Sequence, residues 1–355
     1  MRKAKASLAA EPAAAYISVD SDFVLKDNAA AIQIDENFAA QSFWKDVFIR
    51  FFRKTSAVVG LILIVFITLM AIIGPGMNAY SYSAQNLSQK NFAPRVRVLE
   101  NFGIFDGSEN MKSSTGTKSI NYYVEKELDD VYYWFGSDNF GRDIWTRTWE
   151  GARVSLIIAV AAALIDMIIG MSYGLISGYF GGKVDMIMQR ILEIANGIPR
   201  LVIVTLLLLV LQPGMLTIIF ALMLTEWVGM SRIARAEMLK LKEQEFVLAS
   251  RTLGAGSFFI IFKEILPNII GPIITQVMFS IPTAIFTEAF LSFVGLGIPV
   301  PQCSLGSLIS EGFNSFTTHP YQIIPPIVAM ALLMLSFNLV ADGLREALDP
   351  KMKEM

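Results

Sequence analysis

An uncharged run of 18 apolar residues, Ala57 to Gly74, constrains this chain more than any other feature. A helix rises about 1.5 Å per residue, so such a run approaches the roughly 20 residues that cross about 30 Å of hydrocarbon. Charged residues make up 17% of the chain, whereas they make up about 25% of soluble domains. The run is therefore predicted to be a transmembrane helix of an integral membrane protein.

Five further apolar segments complete a prediction of six spans in an all-α polytopic membrane protein. Four of them are Val154 to Ile176, Met215 to Met230, Ile269 to Phe290 and Ile323 to Ala341. The purely apolar part of the remaining segment, residues 201–211, is too short to cross a membrane, so this third span is extended back to Val184. Gly197 and Pro199 are predicted to kink it.

Basic residues near the spans predict the orientation. Residues 43–54 mix aromatic and basic side chains and are predicted to form an interfacial helix before the first span, whereas only Lys90 follows the span within 20 residues. Residues 231–267 are rich in Lys and Arg, and residues 297–322 carry none. The positive-inside rule then places both termini in the cytoplasm.

The spans and their orientation divide the chain into five parts. These parts are a cytoplasmic tail with an interfacial helix (1–56), the first span (57–74), an extracytoplasmic insert (75–150), a five-helix transmembrane part (151–343) containing a long loop (231–267), and a cytoplasmic tail (344–355).

Polar residues within the spans are candidates for a transport pathway or a subunit interface, because hydrocarbon disfavours them. A stripe within an arc of about 80° on the third helix consists of Asp185, Gln189, Glu193, Asn196 and Arg200. The other candidates are Asp166, Glu226, Glu288 and Asn338. Two interpretations of Asp166, Glu226 and Glu288 stay open, namely structural pairing inside the bundle and an ion path of a secondary transporter.

The sequence contains no motif for catalysis or nucleotide binding. Around Gly178 the chain resembles a phosphate loop only in part, since Ser177 replaces its first glycine and Val184 its magnesium-binding hydroxyl residue. A single cysteine, Cys303, and a single histidine, His319, exclude a Cys/His metal site and an internal disulfide. With a net charge of −2, nucleic acid is not an expected partner, and no enzyme activity is expected.

The long loop contains a predicted amphipathic helix. Phe246, Ala249 and Leu253 recur at helical spacing, and Gly254 is predicted to stop the helix because glycine tolerates positive φ. Downstream, Leu266-Pro267 is expected to begin or bend the fifth span. The physics leaves two interpretations open, since the helix could dock into a groove of another protein or rest on the bilayer.

The pattern of Glu245, Ala249-Ser250, Gly254 and Leu266-Pro267 resembles the cytoplasmic coupling loop of permease subunits of binding-protein-dependent ABC importers. Two departures are Ser250, where a second alanine is usual, and Glu264, where isoleucine is common. Other segments resemble the oligopeptide/dipeptide/nickel branch of that family. They are residues 135–143, 151–156, 291–297 and 342–350.

The resemblance implies a type I ABC importer permease that forms a heterodimer with a second, homologous permease. Two cytoplasmic ATPases would bind ATP and Mg, so this chain would need no cofactor, and an external lipoprotein would deliver an oligopeptide. Dipeptides or nickel are alternative substrates. The implied coupling residues are Glu245, Phe246, Ala249, Ser250, Leu253, Gly254, Ala255, Leu266 and Pro267. The insert resembles that of oligopeptide permeases of Gram-positive bacteria, which implies their plasma membrane.

Overall fold

The structure is a computed structural model that describes residues 43–113 and 116–348. The chain divides into two compact units after Asp46. Every element described below belongs to the second unit, apart from residues 43–46 at the start of the first helix. The predicted N-terminal tail up to residue 42 and the last seven residues of the predicted C-terminal tail lie outside the described residues.

Long helices form most of the described chain. The N-terminal part consists of α1 (Phe43–Arg53), α2 (Thr55–Ile73), β1 (Ser108–Ser113), β2 (Gly116–Asn121) and α3 (Tyr122–Glu125). The second span is made of α4 (Ile144–Ile165), a π-helical turn (Asp166–Gly170) and α5 (Met171–Phe180), and the third of α6 (Gly182–Gly197) and α7 (Arg200–Val210). The C-terminal part consists of α8 (Met215–Thr225), α9 (Trp227–Leu241), α10 (Glu245–Thr252), a helical turn (Ser257–Phe259), a π-helical turn (Ile260–Ile265), α11 (Leu266–Phe293), α12 (Leu305–Asn314) and α13 (Ile324–Leu348).

The described residues contain five continuous helices that are long and apolar enough to cross a membrane, and the bent pair α6–α7 brings the count to six. This confirms the prediction of an all-α polytopic protein with six spans. The third span is broken rather than kinked, since its two helices meet at 79°. Ile198 is extended there, with φ −86° and ψ 123°, because the proline that follows disfavours helical geometry in the residue before it.

The insert is more structured than the sequence indicates. β1 and β2 form an antiparallel hairpin, which was not predicted. Phe92, Tyr123 and Tyr133 are buried together, and Tyr80 stacks on Tyr133 with ring centroids 4.6 Å apart. The insert therefore has an aromatic core of its own.

The second span begins before its apolar run. Asp143 caps α4, because its carboxylate accepts a hydrogen bond from the Thr146 backbone N–H at 2.8 Å. The helix therefore starts at Ile144, ten residues before the predicted start at Val154, and the last residues of the insert belong to it.

Three glycines, one in the π-helical turn and two in α5, bring the second span into close contact with α9. A Cβ atom added at Gly174 would lie 2.2 Å from the Ser231 backbone oxygen, and Gly170 and Gly178 make similarly close approaches to α9. Small residues at a spacing of four allow two membrane helices to approach closely. This packing holds α9 in helical form to Leu241, well beyond the fourth span's predicted end at Met230, so the first part of the long loop is helical.

The remaining helices complete the bundle. α13 packs along α2 and α11, and α11 also packs against α4. Val47 and Phe51 of α1 are buried against the same cluster as Val340 and Ala347 of α13. The helix expected before the first span is present as α1, and its apolar residues Phe48 and Phe52 are 65% and 44% exposed.

Candidate functional site

The helix α10 forms within the long loop where the apolar spacing predicts one. Gly254 has φ +84°, and its N–H donates to the Arg251 carbonyl at 3.0 Å, while the Ala255 N–H donates to the Ser250 carbonyl at 3.0 Å. These two bonds form a Schellman motif, in which a left-handed residue satisfies the last carbonyls of a helix. The predicted glycine stop is therefore present.

Two faces of α10 differ in exposure. Val247 is fully buried in the main core. On the other side, Leu253 is 87% exposed and Phe246 41% exposed, and Ala249 is exposed as well. The three residues that predicted the amphipathic helix thus point away from this chain's own core.

Ser250 and Glu264, the two departures from the family pattern, contact each other. Ser250 Oγ donates to Glu264 Oε1 at 2.6 Å. Glu264 lies in the π-helical turn that leads directly into α11. The bond therefore joins the loop helix to the start of the fifth span.

Leu266-Pro267 does not begin the fifth span, which was one expectation. The helical path starts at Ser257 and runs through the π-helical turn, so Pro267 sits in the first turn of α11. Inside a continuous helical path a proline removes one backbone hydrogen bond and crowds the preceding turn, and here that preceding turn is the π-helical one. In the structure Pro267 is exposed.

The predicted stripe on the third span is split into separate contacts. Asp185 accepts two hydrogen bonds from Arg235 of α9, at 2.7 and 2.6 Å. Ser177 donates to Asp185 at 2.5 Å, and Gln189 donates to Ser177 at 3.1 Å. This part of the stripe fastens α6 to α5 and α9.

The rest of the stripe lies elsewhere. Glu193 pairs with Arg190 at 2.5 Å, with both side chains more than half exposed, and Asn196 is exposed too. Arg200 lies beyond the 79° break and pairs with Glu226 at 2.5 Å. The prediction that all five residues share one helix face was therefore wrong, because the helix does not continue through Pro199.

The other carboxylates in the spans each have their own hydrogen-bond donors. Asp166 accepts from Ser280 at 2.5 Å. Glu288 is fully buried and accepts from Ser292 at 2.7 Å and from Ser155 at 3.2 Å. Such contacts between helices are what structural pairing requires. Asn338 lies exposed on α13.

A buried charge cluster, which the sequence analysis missed, joins the insert to α12. Its members are Asp138, Arg142, Arg147 and Glu311. Arg142 and Arg147 are each 1% exposed. Both guanidinium groups bond to Asp138, at 2.6 and 2.5 Å, and to Glu311, at 2.8 and 2.6 Å. Only the charges of Arg142 and Arg147 at the start of the second span could have indicated it, since Glu311 lies 164 residues after Arg147.

The single cysteine and histidine both make structural contacts. Cys303 is buried, and this burial raises the pKa of its thiol to about 11. His319 Nδ1 lies 2.9 Å from a carboxylate oxygen of Glu109. Within residues 43–113 and 116–348, no group of three or more His, Cys, Asp or Glu side chains could hold a metal ion.

Comparison with known proteins identifies the family. The family described as "Binding-protein-dependent transport system inner membrane component" matches residues 170–354, and the "N-terminal TM domain of oligopeptide transport permease C" matches residues 42–94. The oligopeptide transport system permease protein OppC of Bacillus subtilis is 43% identical over 88% of this chain and 91% of its own length. The dipeptide transport system permease DppC of the same species is 40% identical over 88% of this chain and 87% of its own length. DppC of Lactococcus lactis is 42% identical over 89% and 92%. The chain therefore belongs to the inner membrane components of binding-protein-dependent transport systems.

Proposed function

We propose that this chain is the transmembrane permease subunit of an ATP-driven importer that takes up oligopeptides delivered by an external substrate-binding protein. Relatives that are 40–43% identical over most of the chain are oligopeptide and dipeptide permeases. The observation that carries the mechanism is the exposed apolar face of α10, with Leu253 87% exposed. On this proposal, that face docks into a cytoplasmic ATPase.

The need for a partner follows from the chemistry of the chain. Its one partial phosphate loop lacks the glycine and hydroxyl residues that bind nucleotide, so energy from ATP must enter through an interface. A partner shifts a two-state transporter only when it interacts differently with the two states. The assembly would contain two ATPases that bind ATP and Mg, a second permease and an external lipoprotein.

Contacts behind α10 support its role as the moving part. Val247 is buried in the core, and the Arg251 guanidinium lies 4.9 Å from the centre of the Tyr179 ring, near the end of α5. A push on the exposed face would therefore reach both the second and the fifth spans. Arg200, half exposed beside Glu226, would face the second permease or the pathway rather than lipid.

The test uses the importer complex reconstituted in proteoliposomes with a labelled tetrapeptide. Replacing Leu253 with Arg puts a charge into the proposed docking face, and ATPase co-purification and peptide-stimulated ATP hydrolysis should be lost. Val98→Arg, at a 68% exposed position of the insert, is the matched control and should retain the ATPases. Wild-type transport by the Leu253→Arg complex would remove α10 from the mechanism. Uptake driven by a proton gradient without ATP would favour a secondary transporter.

The same proposal places both termini in the cytoplasm and the insert outside, as the basic residues indicate. Glu125 in the insert and Gln244 in the long loop are both exposed, so each can report its side of the membrane. In a Cys303→Ser background, Glu125→Cys should react with an impermeant maleimide added to intact cells, and Gln244→Cys should react only after permeabilisation. The reverse pattern would contradict the orientation.

A further inference from the structure

The hydrogen bond between Ser250 and Glu264 spans 14 residues of sequence and joins two elements with different surroundings. Ser250 belongs to α10, whose outer face is exposed. Glu264 belongs to a π-helical turn whose neighbours Ile260, Ile261 and Ile265 are fully buried. The bond therefore connects a surface helix to the buried base of the fifth span.

Ser250 is fixed by its main chain as well as by its side chain. Its carbonyl accepts the Ala255 N–H in the cap that ends α10, while its hydroxyl donates to Glu264. Because the carbonyl and the hydroxyl of Ser250 are both hydrogen-bonded, a movement passed through the hydroxyl would also act on the end of α10.

Glu264 depends on this one donor from α10. Its other carboxylate oxygen, Oε2, is buried and has no hydrogen-bond partner among the described residues. A hydrogen bond to a carboxylate is stronger than one between neutral groups, and a partly buried carboxylate that loses its donor carries part of the cost of desolvation. Any displacement of α10 that stretched the bond would therefore be resisted.

We propose that the Ser250–Glu264 hydrogen bond is a positioning contact that makes α10 and α11 move together when an ATPase displaces α10. It rests on the proposed function, since it assigns the route by which docking reaches the fifth span. Ser250 and Glu264 stand where the family pattern has alanine and isoleucine, so this chain has a polar contact between two positions that are apolar in that pattern.

The test compares four variants in the reconstituted complex with the labelled tetrapeptide. Ser250→Ala and Glu264→Ala each break the bond, Glu264→Gln keeps an acceptor oxygen, and the double variant Ser250→Ala/Glu264→Ile restores the apolar pair. We expect each alanine variant to lower the number of peptides transported per ATP by about fivefold or more, the lower end of measured coupling effects. In Glu264→Ala, ATPase co-purification and basal ATP hydrolysis should stay at the wild-type level, because Glu264 lies outside α10 in the π-helical turn. The Glu264→Gln and double variants should recover most of the wild-type ratio, because Gln keeps an acceptor for the Ser250 hydroxyl and the alanine–isoleucine pair leaves no polar group without a partner.

Each other outcome overturns the inference. A wild-type ratio in the alanine variants would show that the bond transmits nothing, and no recovery in the Glu264→Gln and double variants would show that the loss has another cause. Loss of the ATPases from Glu264→Ala would assign the pair to docking, and the proposed function would stand. By contrast, retention of the ATPases by Leu253→Arg would contradict docking through α10 itself, whatever the alanine variants do.

Discussion

Charges are buried where the insert meets α12, whereas apolar side chains are exposed around α10. In the first region Arg142 and Arg147 are 1% exposed and share Asp138 and Glu311 as partners. In the second region Leu253 is 87% exposed. Buried charges need complete partners, and exposed apolar side chains on a small helix suit an interface. The charges of the first region are thus paired within the chain, whereas the second region is the surface to which the proposed function assigns another protein.

The largest expected effect is in the buried cluster. Arg147→Met leaves Asp138 and Glu311 with one cation fewer, and removing one partner from a buried ion pair costs about 3–5 kcal/mol. Thermal unfolding of the purified chain in detergent, followed by circular dichroism, should show this loss. The exposed pair Arg190–Glu193 offers the control, since Arg190→Met should cost less than about 1 kcal/mol. Equal losses in the two variants would break the comparison.

A smaller effect is expected at the cap of α10. Gly254 has φ +84°, so Gly254→Val should destabilise the helix end by about 1–2 kcal/mol, the cost of left-handed geometry for a side chain with a Cβ. Hydrogen exchange of the amides in residues 245–253 should accelerate by roughly tenfold as a result. Gly256→Val is the matched control, because Gly256 has φ −70° and open space around it. Unchanged exchange in Gly254→Val would mean that the cap does not hold the helix.

The smallest effect on stability is expected from Leu253→Ser. The side chain is 87% exposed, and a surface substitution usually changes stability by less than about 0.5 kcal/mol. Leu305→Ala, at a fully buried position of α12, should cost about 2–5 kcal/mol. Thermal unfolding of both variants sharpens the comparison. A large loss in Leu253→Ser would show that α10 is part of the chain's own core.

The spans and the α10 region could be predicted because their signals are local. Eighteen uncharged apolar residues are sufficient to indicate a span, and Gly254 at the end of an amphipathic pattern indicates a helix stop. The helical extensions at Ile144–Arg153 and Ser231–Leu241 could not be found in this way. The first extension follows the cap at Asp143. The second packs against three glycines of the second span.

The buried cluster could not be predicted because its signal is distant. Arg142 and Glu311 are 169 residues apart, and each alone looks like an ordinary loop charge. The prediction of one stripe on the third span was wrong for the opposite reason. A local periodicity was extended through Pro199, where the chain turns by 79°. Periodicity describes an element only up to its first break.

The helix from Ile144 to Phe180 begins beside the buried charge cluster and ends beside α10. Its 37 residues correspond to a rod about 55 Å long at about 1.5 Å per residue. A lever of this length that tilts by about 5° about one end carries its far end through about 5 Å. The end held by the ion pairs would stay in place, and the end at Phe180 would move. A displacement of that size is close to the rise of one helical turn, about 5.4 Å. A small rotation at one side of the molecule would therefore move the other side by about one turn.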